Sequence, residues 1–322
     1  MVLPGRLMSL ALLGAASFGV APGGAAARAG WAPAAEARPT TPTLIASLPY
    51  GVGDGAVGLL PASESSPEGP AALTVTADGT IVILDGVDHV LERLDPDGRI
   101  LPSVPLPGPG FEDLVALPSG DLLLLDRLLQ RRLVQVDAQG GLVAAWPLPM
   151  DPEPGLATAL LWSEGAFVEY EHGSSLPILD RTLRAVADPP PHAGRPDAGG
   201  AVRARRSGTR FVTLVVTTQG RSREAAVAFS ADLLRLLGVE RRPEGGVFLL
   251  AELAAPDGDG EGPVDTVRHE GVWLGAELRE ERRATTTHPW DPAQPLRALA
   301  TDPTGGVIQL VPVGTGVQVL RW

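Results

Sequence analysis

The chain contains no cysteine, no lysine and no asparagine among its 322 residues. Without cysteine it can form no disulfide and no thiolate zinc site, and it has no cysteine nucleophile and no thiol for a lipid anchor. Without lysine it lacks both the phosphate-binding lysine of a P-loop and a Schiff-base amine. The absence of asparagine excludes N-glycosylation. All fixed positive charge on side chains is therefore arginine.

Aromatic residues are also scarce, at 4% of the chain, and acidic residues outnumber basic ones by 38 to 26. A formal net charge of −12 disfavours nucleic acid as a partner, because nucleic acid needs a basic face. Hydrophobic residues make up 44% of the chain, enough to build a core. The composition therefore indicates an acidic globular protein.

The N-terminal segment has the pattern of a secretory signal peptide. Arg6 is the single charge before an apolar run from Leu7 to Ala21, which is shorter than the roughly 20 residues of a membrane span. Small residues then offer A-x-A cleavage sites after Ala27 or Ala29. We predict a signal peptide over 1–29, with an uncleaved anchor as the alternative, and a stiff Pro/Ala-rich leader over 30–42. The mature chain is expected to be periplasmic or extracellular, with no membrane span.

An internal repeat is the most informative feature of the remaining sequence. Gly79 and Asp85 recur 41 residues later as Gly120 and Asp126, and Asp95 and Gly98 recur 42 residues later as Asp137 and Gly140. Each unit has a strand, a glycine turn, a strongly apolar strand ending at Asp, an alternating strand and an Asp-x-x-Gly turn before an edge strand. Four strands in about 40 residues are typical of a propeller blade.

The repeat predicts an all-β fold with a single β-propeller over 43–322. At this period the segment holds six four-stranded blades, with seven as the competing count and a β-sandwich as the alternative fold. The last repeat has residues for about three strands, and Thr43–Pro49 is a lone strand before the first full blade. We expect this N-terminal strand to complete the last blade and close the ring.

The two best units resemble the NHL-type β-propeller repeat. The resemblance rests on the apolar strand that ends at Asp85 or Asp126 and on the Asp-x-x-Gly turns at Asp95 and Asp137. Asp88-His89 departs from the family's loop pattern, which often has Asn-x-Arg. Related six-bladed propellers include metal-dependent lactonases, whose Glu, Asp and Asn ligand set is not evident in this chain.

Other candidate sites are weaker. The segment Asp257-Gly258-Asp259-Gly260-Glu261 resembles the start of a calcium loop, but the twelfth position is Arg268, so the motif is incomplete. The five histidines show no metal-binding spacing, and we interpret them as unrelated surface residues, three of them in loops: His89, His192 and His288. Two segments, Ala185–Gly200 and Ala254–Pro263, are rich in Pro or Gly and are expected to project as loops.

The loops that follow the second strand of the first two blades are our candidate partner-binding surface. Its members are Asp85, Asp88, His89, Asp126, Arg127, Arg131 and Arg132. The repeated aspartates could form a ring of carboxylates, but a residue that recurs in each blade favours a structural role in the turn. No catalytic residue, metal site or cofactor is predicted.

We therefore expect an exported, monomeric β-propeller that acts as a ligand-binding, protein-binding or scaffold module of the cell envelope, with an envelope or extracellular protein or glycan as partner. The alternatives are a hydrolase of the lactonase type and a purely structural surface protein. An enzyme would bring acidic or histidine side chains together in the central channel.

Overall fold

In the computed structural model, 24 β-strands form six antiparallel sheets of four strands. The described residues are 41–61, 66–170, 173–188, 190–197, 199–254, 266–289 and 291–322. The predicted signal peptide, most of the leader and the acidic segment 255–265 lie outside this set. Among the described residues no helix has the length and apolar character of a membrane span.

Blades 1 to 3 occupy the first half of the ring, and each runs from an inner to an outer strand in chain order. Their strands are, for blade 1, β2 (Ala72–Val75), β3 (Ile81–Asp85), β4 (Val90–Leu94) and β5 (Ile100–Pro105); for blade 2, β6 (Asp113–Ala116), β7 (Leu122–Asp126), β8 (Arg132–Val136) and β9 (Leu142–Pro147); and for blade 3, β10 (Ala157–Trp162), β11 (Gly165–Tyr170), β12 (Ser174–Asp180) and β13 (His192–Ala193). A 3-10 turn, Pro154–Leu156, leads into β10.

Blades 4 to 6 complete the ring. Their strands are, for blade 4, β14 (Arg195–Asp197), β15 (Gly200–Arg206), β16 (Phe211–Thr218) and β17 (Arg221–Ala228); for blade 5, β18 (Leu233–Arg241), β19 (Val247–Leu253), β20 (Thr266–Leu274) and β21 (Glu280–Pro289); and for blade 6, β22 (Leu299–Thr301), β23 (Val307–Val313), β24 (Gly316–Arg321) and the N-terminal β1 (Thr43–Pro49). The predictions of an all-β propeller, six four-stranded blades and closure by the N-terminal strand are confirmed.

The inner strands face a central channel. Strand β2 contacts β6 and β22, β6 contacts β10, and β18 contacts β22. Each inner strand runs toward a tight turn that leads to the second strand, such as Thr76–Thr80 after β2 and Leu117–Asp121 after β6. Gly79 and Gly120 occupy these turns with φ of 86° and 91°, a conformation that costs glycine little. We call this side the turn face; the loops after each second strand lie on the opposite side, the loop face.

The core lies between the blades. Apolar clusters fill the junctions of blades 1 and 2, 2 and 3, 4 and 5, 5 and 6, and 6 and 1. Apart from β15 in blade 4, the second strands are buried on both faces, which explains the apolar runs that precede Asp85 and Asp126. The described residues show no comparable cluster between blades 3 and 4, where charged side chains cross the junction instead.

One sequence prediction about the fold is wrong. The segment Ala185–Gly200 does not simply project as a loop, because it contains β13 and the inner strand β14. Although the segment is rich in Pro and Gly, it contains a three-residue strand, Arg195–Asp197, which pairs with Gly200–Val202. This strand brings Arg195 into the channel.

Candidate functional site

The predicted partner-binding loops do lie on the loop face, but the two repeated aspartates, Asp85 and Asp126, are buried. Asp85 is fully buried; its Oδ2 accepts a hydrogen bond from the Gly58 amide at 2.6 Å, and its Oδ1 accepts from the amides of Val87 and Asp88 at 3.0 Å. Asp126 is equally buried and accepts from the amides of Leu129 and Gln130. Both carboxylates hold the loop after the second strand, the structural role that repetition favoured.

The three arginines of this surface differ in how firmly other residues hold them. Arg127 forms an ion pair with Glu112 at 3.2 Å and donates to the Ala157 carbonyl at 2.6 Å, so it ties blade 2 to blade 3. Arg132 is half-buried at the start of β8. Arg131 lies 3.8 Å from Glu153. In blade 1 Asp88 is half-buried and His89 is exposed. No hydrogen bond or ion pair between described residues joins the members in blade 1 to those in blade 2.

An apolar patch that the sequence did not reveal lies beside Arg131. Its members come from the loop after β7 and from the connection to β10, and each is 52–65% exposed: Leu128, Leu129, Met150 and Leu156. The Met150 sulfur lies 4.0 Å from Arg131 Nη1. A Cβ placed on Gly155 would lie 3.6 Å from Leu128 Cδ2, so the two segments are in contact. We call these four residues the loop-face patch.

The strongest candidate site is a cavity of about 350 Å³ in the central channel. All six inner strands contribute to its wall, through residues such as Thr74, Ala116, Trp162, Glu240 and Thr301. Asp197, Arg241 and Thr301 are the last residues of β14, β18 and β22. Because every inner strand runs toward the turn face, these three residues lie at the turn-face end of the channel. A second cavity of about 560 Å³ shares these three residues and widens the channel toward the turn face. The pair of cavities forms a funnel on this side of the ring.

Buried charges cross the deeper part of the channel. Arg195 donates to Glu169 Oε1 and Oε2 at 3.0 and 3.1 Å, to Glu240 Oε1 at 3.1 Å and to the Val239 carbonyl at 2.9 Å. Burial disfavours its charge, but the two carboxylates outweigh burial and raise the pKa of Arg195 above its ordinary value. Burial raises the pKa of Glu240, although Arg195 opposes the shift. The network joins blades 3, 4 and 5.

A second buried pair lies across the same channel. Asp113 accepts from the Leu160 amide at 2.6 Å, and its other oxygen lies 2.9 Å from Arg297 Nε. Burial raises the pKa of Asp113, and the Arg297 guanidinium partly opposes this shift. Arg297 also donates to the Leu160 carbonyl through Nη1 at 3.2 Å. These contacts hold Arg297 at the cavity wall.

Three residues in the cavity wall carry buried polar atoms that have no hydrogen-bond partner among the described residues. The atoms are Asp197 Oδ1, Arg297 Nε and Nη2, and Thr301 Oγ1, of which Arg297 Nε lies beside Asp113 in the ion pair. Asp197 uses its other oxygen for Arg241, which lies at the same end of the channel. Buried polar groups are normally paired, and an unpaired one costs about 1–3 kcal/mol. The same three residues line the cavity, so an occupant would be surrounded by an anionic, a cationic and a hydroxyl side chain.

Two of the histidines depart from the surface positions that the sequence suggested, whereas His89 and His192 are exposed. His269 and His288 lie in neighbouring strands β20 and β21, both are 5% exposed, and their ring centroids are 5.0 Å apart. The predictions that His192 and His288 lie in loops are therefore wrong, because His192 lies in β13 and His288 in β21. His269 Nδ1 is 3.0 Å from Gln309 Nε2, and His269 Nε2 is 3.8 Å from Glu252 Oε2. Among the described residues no group of three or more His, Asp or Glu side chains could hold a metal ion.

No protein-family model matches the chain, and no curated protein matches it in sequence. Similar solved structures include hydrazine synthase from Kuenenia stuttgartiensis, at 14% identity over 74% of this chain and 72% of that chain, with a TM-score of 0.47. A DUF4221 protein from Bacteroides vulgatus has 11% identity over 86% and 98%, with a TM-score of 0.45. A streptogramin B lyase has 12% identity over 82% and 96%, with a TM-score of 0.43.

These neighbours differ in function from one another. At such low identity the similarity concerns the fold and does not extend to activity. The six sheets of the chain itself establish the propeller.

Proposed function

We propose that this chain is an exported binding module of the cell envelope, whose propeller takes a small polar ligand into the central channel. The proposal rests on the 350 Å³ cavity, whose wall contains Asp197, Arg297 and Thr301, each with a buried polar atom that no described residue pairs. The sequence of residues 1–29 supports export, and the repeat supports kinship with NHL-type propellers. The leader over 30–42 would then be a tether between the cleavage site and the propeller.

The chemistry of the wall supports a ligand that carries both charges. The Arg297 guanidinium would donate to an anionic group, and the Asp197 carboxylate would accept from a cationic one, while the Thr301 hydroxyl can do either. A free amino acid or short peptide has both groups on one small molecule. The cavity volume lies at the lower end of the roughly 300–1,000 Å³ of ligand pockets. The funnel toward the turn face provides the entry path.

The test is a thermal melt of the chain with a panel of free amino acids. We expect at least one of them to raise the melting temperature, because a ligand at a hundred times its Kd stabilises the folded state by about 2.7 kcal/mol. Ala116→Phe fills the channel mouth and should abolish the shift, and Thr301→Val should weaken it. The exposed Ala145 in β9 supplies the control, Ala145→Phe, which should keep the shift.

Two results would contradict this function. One is a panel in which no amino acid changes the melting temperature. The other is a shift that survives in Ala116→Phe, because the ligand would then bind outside the channel. The melts without ligand show whether each variant folds.

A protein partner on the loop face is a second candidate function, and the loop-face patch favours it. Four large apolar side chains grouped on an exposed surface are typical of an interaction site. The exposed or half-exposed members of the predicted surface, Asp88, His89 and Arg131, would form its polar surroundings. Loops held by a rigid ring suit recognition because the scaffold fixes their positions.

This candidate predicts a loss of crosslinking without a loss of stability. A photo-crosslinker at Gln130 should trap a partner in the envelope, and Leu129→Glu should reduce the yield at least about tenfold, because a buried anchor contributes 2 kcal/mol or more. Leu234→Glu, at a similarly exposed leucine in β18, is the matched control and should leave the yield unchanged. Equal yields in both variants would exclude the patch as the interface.

A further inference from the structure

A separate cavity of about 320 Å³ lies between blades 1 and 2. Blade 1 contributes Val82 from β3, Leu91 from β4 and Val104 from β5, and blade 2 contributes Pro118 and Leu122. These side chains give it mainly apolar walls. It shares Thr76 and Ala77 with the funnel but none of the channel's charged residues. We call it the interblade cavity.

Arg93 is the unusual residue of this cavity. It is two positions after Leu91 on β4 and therefore shares its face, which is otherwise apolar here. Arg93 is half-buried. Among the described residues, no carboxylate lies within 4.0 Å of its guanidinium, and no acceptor forms a hydrogen bond with it. By contrast, Arg127 and Arg241 are also partly buried and each has a carboxylate partner.

The acidic residues that line the cavity are engaged elsewhere. Asp137 Oδ1 accepts from the amides of Gln139 and Gly141 at 2.9 and 2.8 Å. Asp78 accepts from the Thr80 amide at 3.2 Å and from the Thr76 hydroxyl. Both carboxylates therefore hold the turns from which they project. Among the described residues, the charged group of this cavity that has neither an ion pair nor a hydrogen bond is the guanidinium of Arg93.

We propose that the interblade cavity binds a small amphiphilic carboxylate, with its apolar tail against Val82, Leu91 and Val104 and its carboxylate paired with Arg93. A guanidinium beside apolar walls is partly desolvated, which strengthens its pairing with an anion. The guanidinium can bind both oxygens of a carboxylate at once, and the apolar walls remove the tail from water. The site is independent of the channel and of the function proposed for it.

The test uses octanoate and its uncharged analogue octanamide as probes, with binding measured by titration calorimetry on the full mature chain. We expect octanoate to bind more tightly than octanamide. Arg93→Gln should weaken octanoate about 10- to 100-fold, the usual value of a hydrogen bond to a charged group, and leave octanamide unchanged. Arg93→Lys keeps the charge but loses the paired geometry, so its affinity should fall between the two.

Two further variants locate the site. Arg99→Gln removes an exposed arginine of the same blade and should bind octanoate like the unmodified chain. Ala138→Trp adds a large side chain at an exposed residue of the cavity wall and should weaken both probes. The proposal is overturned if neither probe binds, if Arg93→Gln binds octanoate normally, or if Ala138→Trp leaves both affinities unchanged.

Discussion

Replacement of Arg195 by methionine is expected to lower the free energy of unfolding by about 3 to 5 kcal/mol. Arg195 is the cation shared by Glu169 and Glu240, and Glu169 is only 3% exposed. Methionine has a similar length but no charge, so both carboxylates would remain without their partner. Urea unfolding at neutral pH measures the loss.

Two comparisons make this prediction specific. Arg203→Met changes an exposed arginine on the adjacent strand β15 and should cost less than about 1 kcal/mol. Adding Glu169→Gln and Glu240→Gln to Arg195→Met should restore part of the lost stability, because the buried charges are then removed as well. If Arg195→Met costs no more than Arg203→Met, the network does not hold blades 3, 4 and 5 together.

The second large effect is a loss of stability in acid that depends on His288. Burial lowers the pKa of His288 from 6.5 to about 4, and the neighbouring His269 adds to the shift. The unfolded chain therefore takes up a proton near pH 6.5, whereas the folded chain does so only near pH 4. The free energy of unfolding therefore has its full value, as far as His288 is concerned, above pH 6.5. It decreases as the pH falls from 6.5 toward 4. A shift of this size corresponds to about 3 kcal/mol.

Urea unfolding at pH 7.5 and pH 4.5 tests this effect. His288→Phe removes the titrating group and fills the same volume, so the variant should lose less stability between the two pH values than the unmodified chain. His192 is exposed at the edge of blade 3, and His192→Phe should keep the full acid loss. An identical acid loss in His288→Phe would show that other groups, such as Glu252, whose pKa is lowered in spite of burial by its hydrogen bond with His269 and by Arg235, cause it.

The sequence predicted the parts of the fold that depend on local patterns. Gly79 and Gly120 mark equivalent turns because both need a positive φ, and Asp85 and Asp126 recur because each holds a loop through backbone amides. Closure by Thr43–Pro49 followed from the strand that the last repeat lacked. These features repeat from blade to blade, so a comparison of the chain with itself reveals them.

The channel could not be predicted in the same way. Arg195 reads as a loop residue because Gly194 and Pro196 flank it, and its partners lie 26 and 45 residues away in Glu169 and Glu240. His288 next to Pro289 likewise suggested a loop. In both cases a polar residue is buried through contacts between blades, and local sequence carries no signal of such contacts. The fact that blade 4 needed an inner strand was the one available clue.

The closing sheet also determines how the ring would respond to force. Strands β1 and β24 are antiparallel, and Thr43 pairs with Arg321 at one end while Pro49 pairs with Gly316 at the other. A pull between Thr43 and Arg321 therefore acts on one end of the strand pair and breaks its hydrogen bonds one after another instead of loading them together. If the leader anchored the chain and a partner pulled on the Arg321 end of β24, the seam between β1 and β24 would open by unzipping from Thr43 toward Pro49.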